Sequence, residues 1–300
     1  MNQTKAWLSA FRLRTLPLAL SVIFMGTFLA AESGTFDALI FALAITTTLF
    51  LQILSNLAND YGDSIHGADS LDRKGPQRAV QSGAISSNAM KQAMYLFSVL
   101  ALVSGLSLIY FGLQGLDFTY NVFFFLLGLG AIAAAIKYTA GKNPYGYRGL
   151  GDIFVFLFFG PIGVAGSYFL MSKGFEWSVL LPASSMGLLS VGVLNVNNMR
   201  DHISDKMAGK ISLVVKMGFE NAKIYHTALI LLAFTSMTVF VRLNELPITG
   251  YSFLLAAPLF ILHLRFVWKT NAPELLDKQL KILALSTLVF CLMGGAGLIL

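Results

Sequence analysis

Phe36-Asp-Ala-Leu-Ile-Phe-Ala-Leu-Ala-Ile-Thr-Thr-Thr-Leu-Phe-Leu-Gln-Ile-Leu-Ser-Asn56-Leu-Ala-Asn59-Asp60-Tyr61-Gly62-Asp63 begins as an apolar block and ends as a run of amides and carboxylates. The apolar part, Phe36–Leu57, is long enough to cross the roughly 30 Å hydrocarbon core of a bilayer as a helix. It does not alternate polar and apolar residues, as a membrane-barrel strand would. Its exit has a different character. Asn56 and Asp60 are four residues apart and Asp63 follows three later, so on a continuing helix the three share one face. The stretch therefore reads as a membrane-crossing helix that ends in a stripe of oxygen donors.

The rest of the chain supports that class. Of 300 residues, 56% are hydrophobic and only 12% charged, against roughly 25% charged in soluble domains. Too little charge remains to build a water-facing surface. Further apolar blocks, such as Asn121–Ile136, recur along the sequence, and nine spans are predicted at about 15–31, 36–58, 89–111, 119–137, 151–171, 178–198, 224–242, 248–267 and 281–300. The expected fold is all-α: a polytopic membrane protein in which residues 1–300 form one domain, a bundle of nine transmembrane helices. No small-residue cleavage site follows the first block, so Pro17–Ala31 reads as a retained span. Cys291, the single cysteine, lies in the last block and reads as a packing residue.

Charge placement gives an orientation. Lys5, Arg12 and Arg14 precede the first span. Arg73, Lys74, Arg78 and Lys91 follow the second, Lys137, Lys142 and Arg148 the fourth, Arg200, Lys206, Lys210, Lys216 and Lys223 the sixth, and Arg265, Lys269, Lys278 and Lys281 the eighth. Only Lys173 and Arg242, of 21 basic residues, fall in the alternate loops. Positive residues concentrate on the cytoplasmic side, which puts the N-terminus in the cytoplasm and the C-terminus outside. A net charge of +6 distributed in this way is membrane topology, and it does not indicate a nucleic-acid partner. The chain is expected in the cytoplasmic (inner) membrane as a multi-pass protein.

The sixth span exits in a matching way, through Asn195-Val-Asn197-Asn198-Met-Arg200-Asp201-His202-Ile-Ser-Asp205. Asn197 and Asp201 repeat the Asn-x-x-x-Asp spacing, and Asp205 follows at i+4. A single acid at a helix end is most simply a cap or a surface ion pair. Two stripes with the same core, each closing an inward-running span, are not explained that way. Clustered carboxylates repel one another and are costly beside hydrocarbon, and Mg2+ removes both problems because it takes oxygen ligands and shares them with phosphates. With no His/Cys cluster, zinc and copper are not indicated. Arg73, Lys74 and Arg78 after the first stripe, Arg200 within the second, and Lys206 and Lys210 after it could neutralise a leaving diphosphate, although the same residues also serve the topology. Between spans four and five, Lys137-Tyr138-Thr-Ala-Gly-Lys142-Asn-Pro144-Tyr145-Gly-Tyr147-Arg148-Gly-Leu-Gly-Asp152 is either an interfacial aromatic belt or part of the same site. In the second reading, Tyr138-x-x-x-Lys142 places a phenol beside an ammonium.

These stripes, on a nine-span bundle, resemble the UbiA superfamily of intramembrane aromatic prenyltransferases. The finer likeness is to its 1,4-dihydroxy-2-naphthoate polyprenyltransferase branch, which acts in menaquinone synthesis. It is carried by Arg12-Leu-Arg-Thr-Leu-Pro17, by Asn56 to Asp63 with Gly67-Ala-Asp69 and Gly75-Pro76-x-Arg78, by Tyr147-Arg-Gly-Leu-Gly-Asp152, and by Asn197-Asn-Met-Arg-Asp201 through Asp205, Gly209-Lys210 and Leu213. The last three spans add no motif. The superfamily often carries an acid four residues after the second, where this chain has Gly67; its next acid is Asp69.

The resemblance implies a magnesium-dependent transfer of a polyprenyl chain from its diphosphate to 1,4-dihydroxy-2-naphthoate, with loss of CO2, giving demethylmenaquinone on the cytoplasmic side. Asn56, Asp60, Asp63, Asn197, Asp201 and Asp205 are implied as metal ligands. Asp60, Asp63, Asp201, Asp205, Arg200 and Tyr138 become the catalytic set. Asn59, Asp69, Arg73, Arg78, Lys142, Tyr147, Arg148 and Lys210 become the substrate-binding set. A related prenyltransferase acting on 4-hydroxybenzoate or another aromatic acceptor is the enzyme alternative. An ion-coupled transporter is the non-enzyme one, but its acids belong at mid-bilayer, whereas both stripes here lie at one face.

Overall fold

Within a bilayer backbone N–H and C=O groups must be satisfied by the protein itself, and long apolar blocks that do not alternate do so as helices. The computed structural model describes residues 3–67 and 78–300. Among these residues there is no strand, and nine helical segments are long and apolar enough to cross a membrane: α1 Gln3–Glu32, α2 Ala38–Ile65, α3 Ser87–Gly112, α4 Phe118–Lys137, α5 Gly151–Ser172, α6 Trp177–Met207, α7 Phe219–Leu243, α8 Ile248–Lys269 and α9 Pro273–Ile299. Local chemistry sets several starts. Asp37 caps α2 by accepting from Leu39 N and Ile40 N at 2.8 and 2.9 Å, and Asp117 caps α4 by accepting from Thr119 N, as expected of a side-chain oxygen at a helix N-terminus.

Several helices run past the apolar blocks that announce them. α2 continues to Ile65 and α6 to Met207, so both stripes sit on true helix, where offsets of three and four residues keep each stripe to one side of its helix. α1 is interrupted where Arg12 takes a left-handed conformation (φ 49°) and a short 3-10 turn, Leu13–Thr15, follows. α5 widens into a π-helical stretch over Phe158–Ala165, around Pro161, whose missing N–H cannot complete the normal ladder.

Burial separates the helices into a centre and a rim. In α6, 67% of the most apolar stretch is buried inside the protein, against 6% in α4, so α6 is central and α4 faces lipid. The main core gathers residues of α1, α5, α6, α7, α8 and α9, including Met25, Met186, Leu283, Phe253 and Phe290. A smaller cluster of Ala6, Ala10, Leu54, Leu57, Ala58, Ala79, Met90 and Met94 underlies the first stripe. α4 packs on α2 and α3; between α4 and α5, consecutive in the chain, lies a cavity.

Candidate active site

The first stripe is buried although it is charged, and every carboxylate has partners. Asp60 accepts backbone N–H groups of Ala79 and Val80, both at 3.0 Å, which anchors the segment after residue 77 onto α2. Asp63 takes Arg78 Nη2 at 2.8 Å on Oδ2 and the Tyr147 hydroxyl at 3.0 Å on Oδ1. Asn56 donates to Phe11 O at 2.9 Å and to the Thr15 hydroxyl at 3.1 Å, tying the stripe to the break in α1. Asn59 Oδ1 accepts from Thr139 Oγ1 at 3.0 Å.

In the second stripe Arg200 organises its neighbours. Its Nε and Nη2 meet Asp201 Oδ1 and Oδ2 at 2.7 and 2.6 Å, and Nη2 also reaches Asn197 Oδ1 at 2.9 Å. Asp205 is buried, and its Oδ2 has no hydrogen-bond partner. Lys210 joins the two stripes. Its Nζ lies 3.7 Å from Asp63 and 3.5 Å from Asp205, and 5.6 Å from the centre of the Tyr147 ring. The turn that delivers it uses Gly209 at φ 72° and closes with Lys210 N on Asp205 O at 2.8 Å and Ile211 N on Tyr147 O at 3.0 Å. Burial alone works against the ammonium, but Asp63 and Asp205 outweigh it and hold its pKa above the ordinary lysine value.

Beside this cluster opens a cavity of about 390 Å³. Its polar end is lined by Arg12, Arg14, Asn56, Asn59, Asp63, Arg78, Tyr138, Asn197 and Lys210, and its remainder by apolar side chains such as Leu18, Val22, Phe124, Leu127, Phe158, Ile162 and Leu170. Both Ala44 and Asp63 of α2 touch it, a rise of roughly 29 Å at 1.5 Å per residue, close to the full hydrocarbon depth. Tyr138, Tyr145 and Phe154 form an aromatic wall where polar turns to apolar: Tyr138 meets Tyr145 edge-on at 5.4 Å, and Tyr145 stacks on Phe154 at 4.1 Å. Burial pushes the Tyr138 phenol up to about 12, Lys210 opposing and Asp152 and Asp63 adding to the shift. It is therefore a neutral donor with an aromatic face.

A polar, cation-rich pole joined to an apolar slot suits a molecule with an anionic head and a long hydrocarbon tail. Residues 19–296 match the UbiA prenyltransferase family. The chain belongs to that family. The 1,4-dihydroxy-2-naphthoate octaprenyltransferase of Escherichia coli K12 is 43% identical over 297 residues, covering 97% of this chain and 96% of that protein. The octaprenyltransferase of the same description from Haemophilus influenzae is 40% identical over 301 residues, covering 99% and 97%. Among solved structures, the apo UbiA homolog from Aeropyrum pernix K1 superposes with a TM-score of 0.67 at 18% identity, covering 92% of this chain and 97% of its own. The Archaeoglobus fulgidus UbiA homolog bound to DMAPP and Mg2+ gives 0.61 at 16% identity, covering 98% and 99%. At those identities the likeness is one of fold.

In this UbiA family member the donor chemistry fits a hard divalent cation: amide and carboxylate oxygens from two helices, with Asp205 Oδ2 buried and unpartnered. Among the described residues no three His, Cys, Asp or Glu side chains are grouped as a metal site; Arg78, Arg200 and Lys210 hold the carboxylates as ion pairs. Asn56, Asn59, Asp63 and Asn197 touch the cavity, whereas Asp60, Asp201 and Asp205 are turned to their partners beside it. Asp69 and Arg73, expected in the substrate set, lie outside the described residues.

The expected pairing of Tyr138 with Lys142 is not formed. α4 stops at Lys137, and Gly141 at φ 99° with Pro144 ends any helical offset, so Lys142 is exposed and Lys210 is the ammonium near Tyr138. Arg148 is also exposed, its carbonyl held by Lys216 Nζ at 3.0 Å. Arg12, Arg14, Thr15 and Gln52 line the cavity without having been singled out as site residues. For Arg12, Arg14 and Thr15 the signal lies in the Arg12–Pro17 stretch, where charge abuts the first span; Gln52, inside the second apolar block, carries none.

Proposed function

We propose that this chain transfers a polyprenyl group from its diphosphate to 1,4-dihydroxy-2-naphthoate, releasing diphosphate and CO2. The observation that carries this reading is one cavity, about as deep as the hydrocarbon core from end to end, that joins the cationic pole at Asp63, Arg78 and Lys210 to an apolar slot. The near full-length likeness to naphthoate octaprenyltransferases supports the acceptor.

Asn56, Asp63, Asn197 and Asp205, with Asp60 and Asp201, are the residues that would hold magnesium. When bound, magnesium supplies positive charge against the diphosphate as its bond to the prenyl carbon breaks. Arg78 and Lys210 bind the diphosphate oxygens and take up the electron pair's charge as it leaves, a preorganised stabilisation of developing anion. Tyr138, Tyr145 and Phe154, which line the cavity between its polar and apolar parts, place aromatic rings beside the allylic cation left behind. The apolar walls keep water from it. The naphthoate ring attacks through its carboxyl-bearing carbon; the new C–C bond forms, and the carboxyl group departs as CO2 and a proton. The ring undergoes no net oxidation, so the immediate product is the quinol form of demethylmenaquinone. The positive-inside charge distribution supports a cytoplasmic position for the polar pole.

The test is acceptor choice by the purified protein with one polyprenyl diphosphate. Prenylated naphthoquinol from the naphthoate, with no product from 4-hydroxybenzoate, is expected. Transfer to 4-hydroxybenzoate alone overturns the reading.

A further inference from the structure

Span α9 contributes no motif, yet its α-helical part, which begins at Asp277 after a 3-10 turn, reaches the second stripe. Asp277 Oδ1 accepts from Arg200 Nη1 at 2.5 Å, and Asp277 Oδ2 lies 3.3 Å from Arg14 Nη1. Arg200 is almost wholly buried, while Asp277 is 29% exposed. The remaining nitrogens of that guanidinium go to the stripe, Nε and Nη2 to Asp201 and Nη2 to Asn197. One planar fork therefore orients two of the second stripe's oxygen-bearing side chains. Rotating the fork would swing both, and the anion on Nη1 opposes that rotation.

Charge adds a second effect. Arg14, Asp277, Arg200 and Asp201 alternate in sign along the chain of contacts. With Asp277 present, the guanidinium charge is shared between two carboxylates. Without it the full charge rests on Asp201, which becomes a poorer ligand for a second cation.

We propose that Asp277 is a positioning residue for the second stripe, holding Arg200 so that Asn197 and Asp201 can present oxygen to a divalent cation. This rests on the magnesium-diphosphate reading above. A purely structural role is the competing explanation, since an acid in the first turn of a helix also favours the helix dipole. The two differ in what they do to metal binding.

The experiment uses full-length protein in nanodiscs with inorganic diphosphate, and reads Mn2+ binding by electron paramagnetic resonance alongside steady-state kinetics. D277N and D277A should weaken Mn2+ binding by about ten- to a hundredfold, the range for partners behind metal ligands. They should also lower kcat while leaving KM for the naphthoate unchanged, and D277E should recover most of the loss. D277N, nearly isosteric, keeps the test intact if D277A does not fold. Mn2+ affinity in D277N within twofold of wild type overturns the proposal, as does a loss that D277E fails to rescue. A D201N control separates the two readings. Mn2+ binding lost in D201N but intact in D277N removes only the role of Asp277, whereas undiminished binding in D201N removes the metal role of the stripe itself.

Discussion

Replacing Lys210 with methionine tests how the stripes are held apart. The ammonium is buried between Asp63 at 3.7 Å and Asp205 at 3.5 Å. At an effective dielectric near 20 each contact is worth about 4–5 kcal/mol of attraction, and desolvation of the three charges cancels much of it. Deleting the cation leaves Asp63 with Arg78 and Tyr147 but Asp205 buried without its ammonium, which costs about 3–5 kcal/mol for a pair broken on one side. K210M should therefore unfold at a lower temperature in metal-free detergent. Added Mg2+ should restore more stability to it than to the wild type, because a divalent cation takes over the vacated position. Turnover should fall by about 10²–10³-fold, the loss that follows removal of one preorganised donor from developing negative charge. Thermal unfolding with and without Mg2+, together with single-turnover rates, reads both effects. A K210M protein as stable as wild type, with no added response to Mg2+ and turnover within twofold, would refute the bridging role.

Gly62→Ala should cost about 1–3 kcal/mol by overpacking, because its Cβ would lie 2.5 Å from the carbonyl carbon and oxygen of Thr139; displacement of the loop carrying Tyr138 should lower kcat by up to about 10²-fold, measured against thermal stability in the same sample. Asp201→Asn should abolish turnover while the protein remains folded and inserted, and near-normal turnover would count against its metal role. Gly128 lines the cavity with open space where a side chain would go, so Gly128→Phe should slow transfer from long polyprenyl diphosphates while sparing geranyl diphosphate. A uniform loss across chain lengths would instead indicate damage at the polar pole.

Helix number and stripe geometry were legible in the sequence because both are local properties. Apolar block length and the alternation of basic loops mark nine spans, and Asn56, Asp60, Asp63 and Asn197, Asp201, Asp205 need only helical periodicity to share a face. What joins the stripes was not legible. Lys210 was one of several basic residues on one side, and nothing in its spacing reveals that it reaches Asp63. The contacts of Asp277 with Arg200 and Arg14 cross 77 and 263 residues, and no periodic pattern encodes them. Tyr138 and Lys142 failed for a readable reason: Gly141 and Pro144 signal a helix stop, and a helical offset does not survive it. The left-handed Arg12 that turns α1 into the cavity wall carries no compositional mark, since glycine is the usual residue there.

Decarboxylative, metal-dependent prenyl transfer couples each CO2 released to one prenyl group attached. It is tested most directly with carboxyl-labelled 1,4-dihydroxy-2-naphthoate and a labelled polyprenyl diphosphate, by counting CO2 released against prenyl groups attached. Equal amounts are expected, with both stopped by EDTA and both restored by excess Mg2+. Transfer that retains the carboxyl label, or that continues unchanged in chelator, would contradict it.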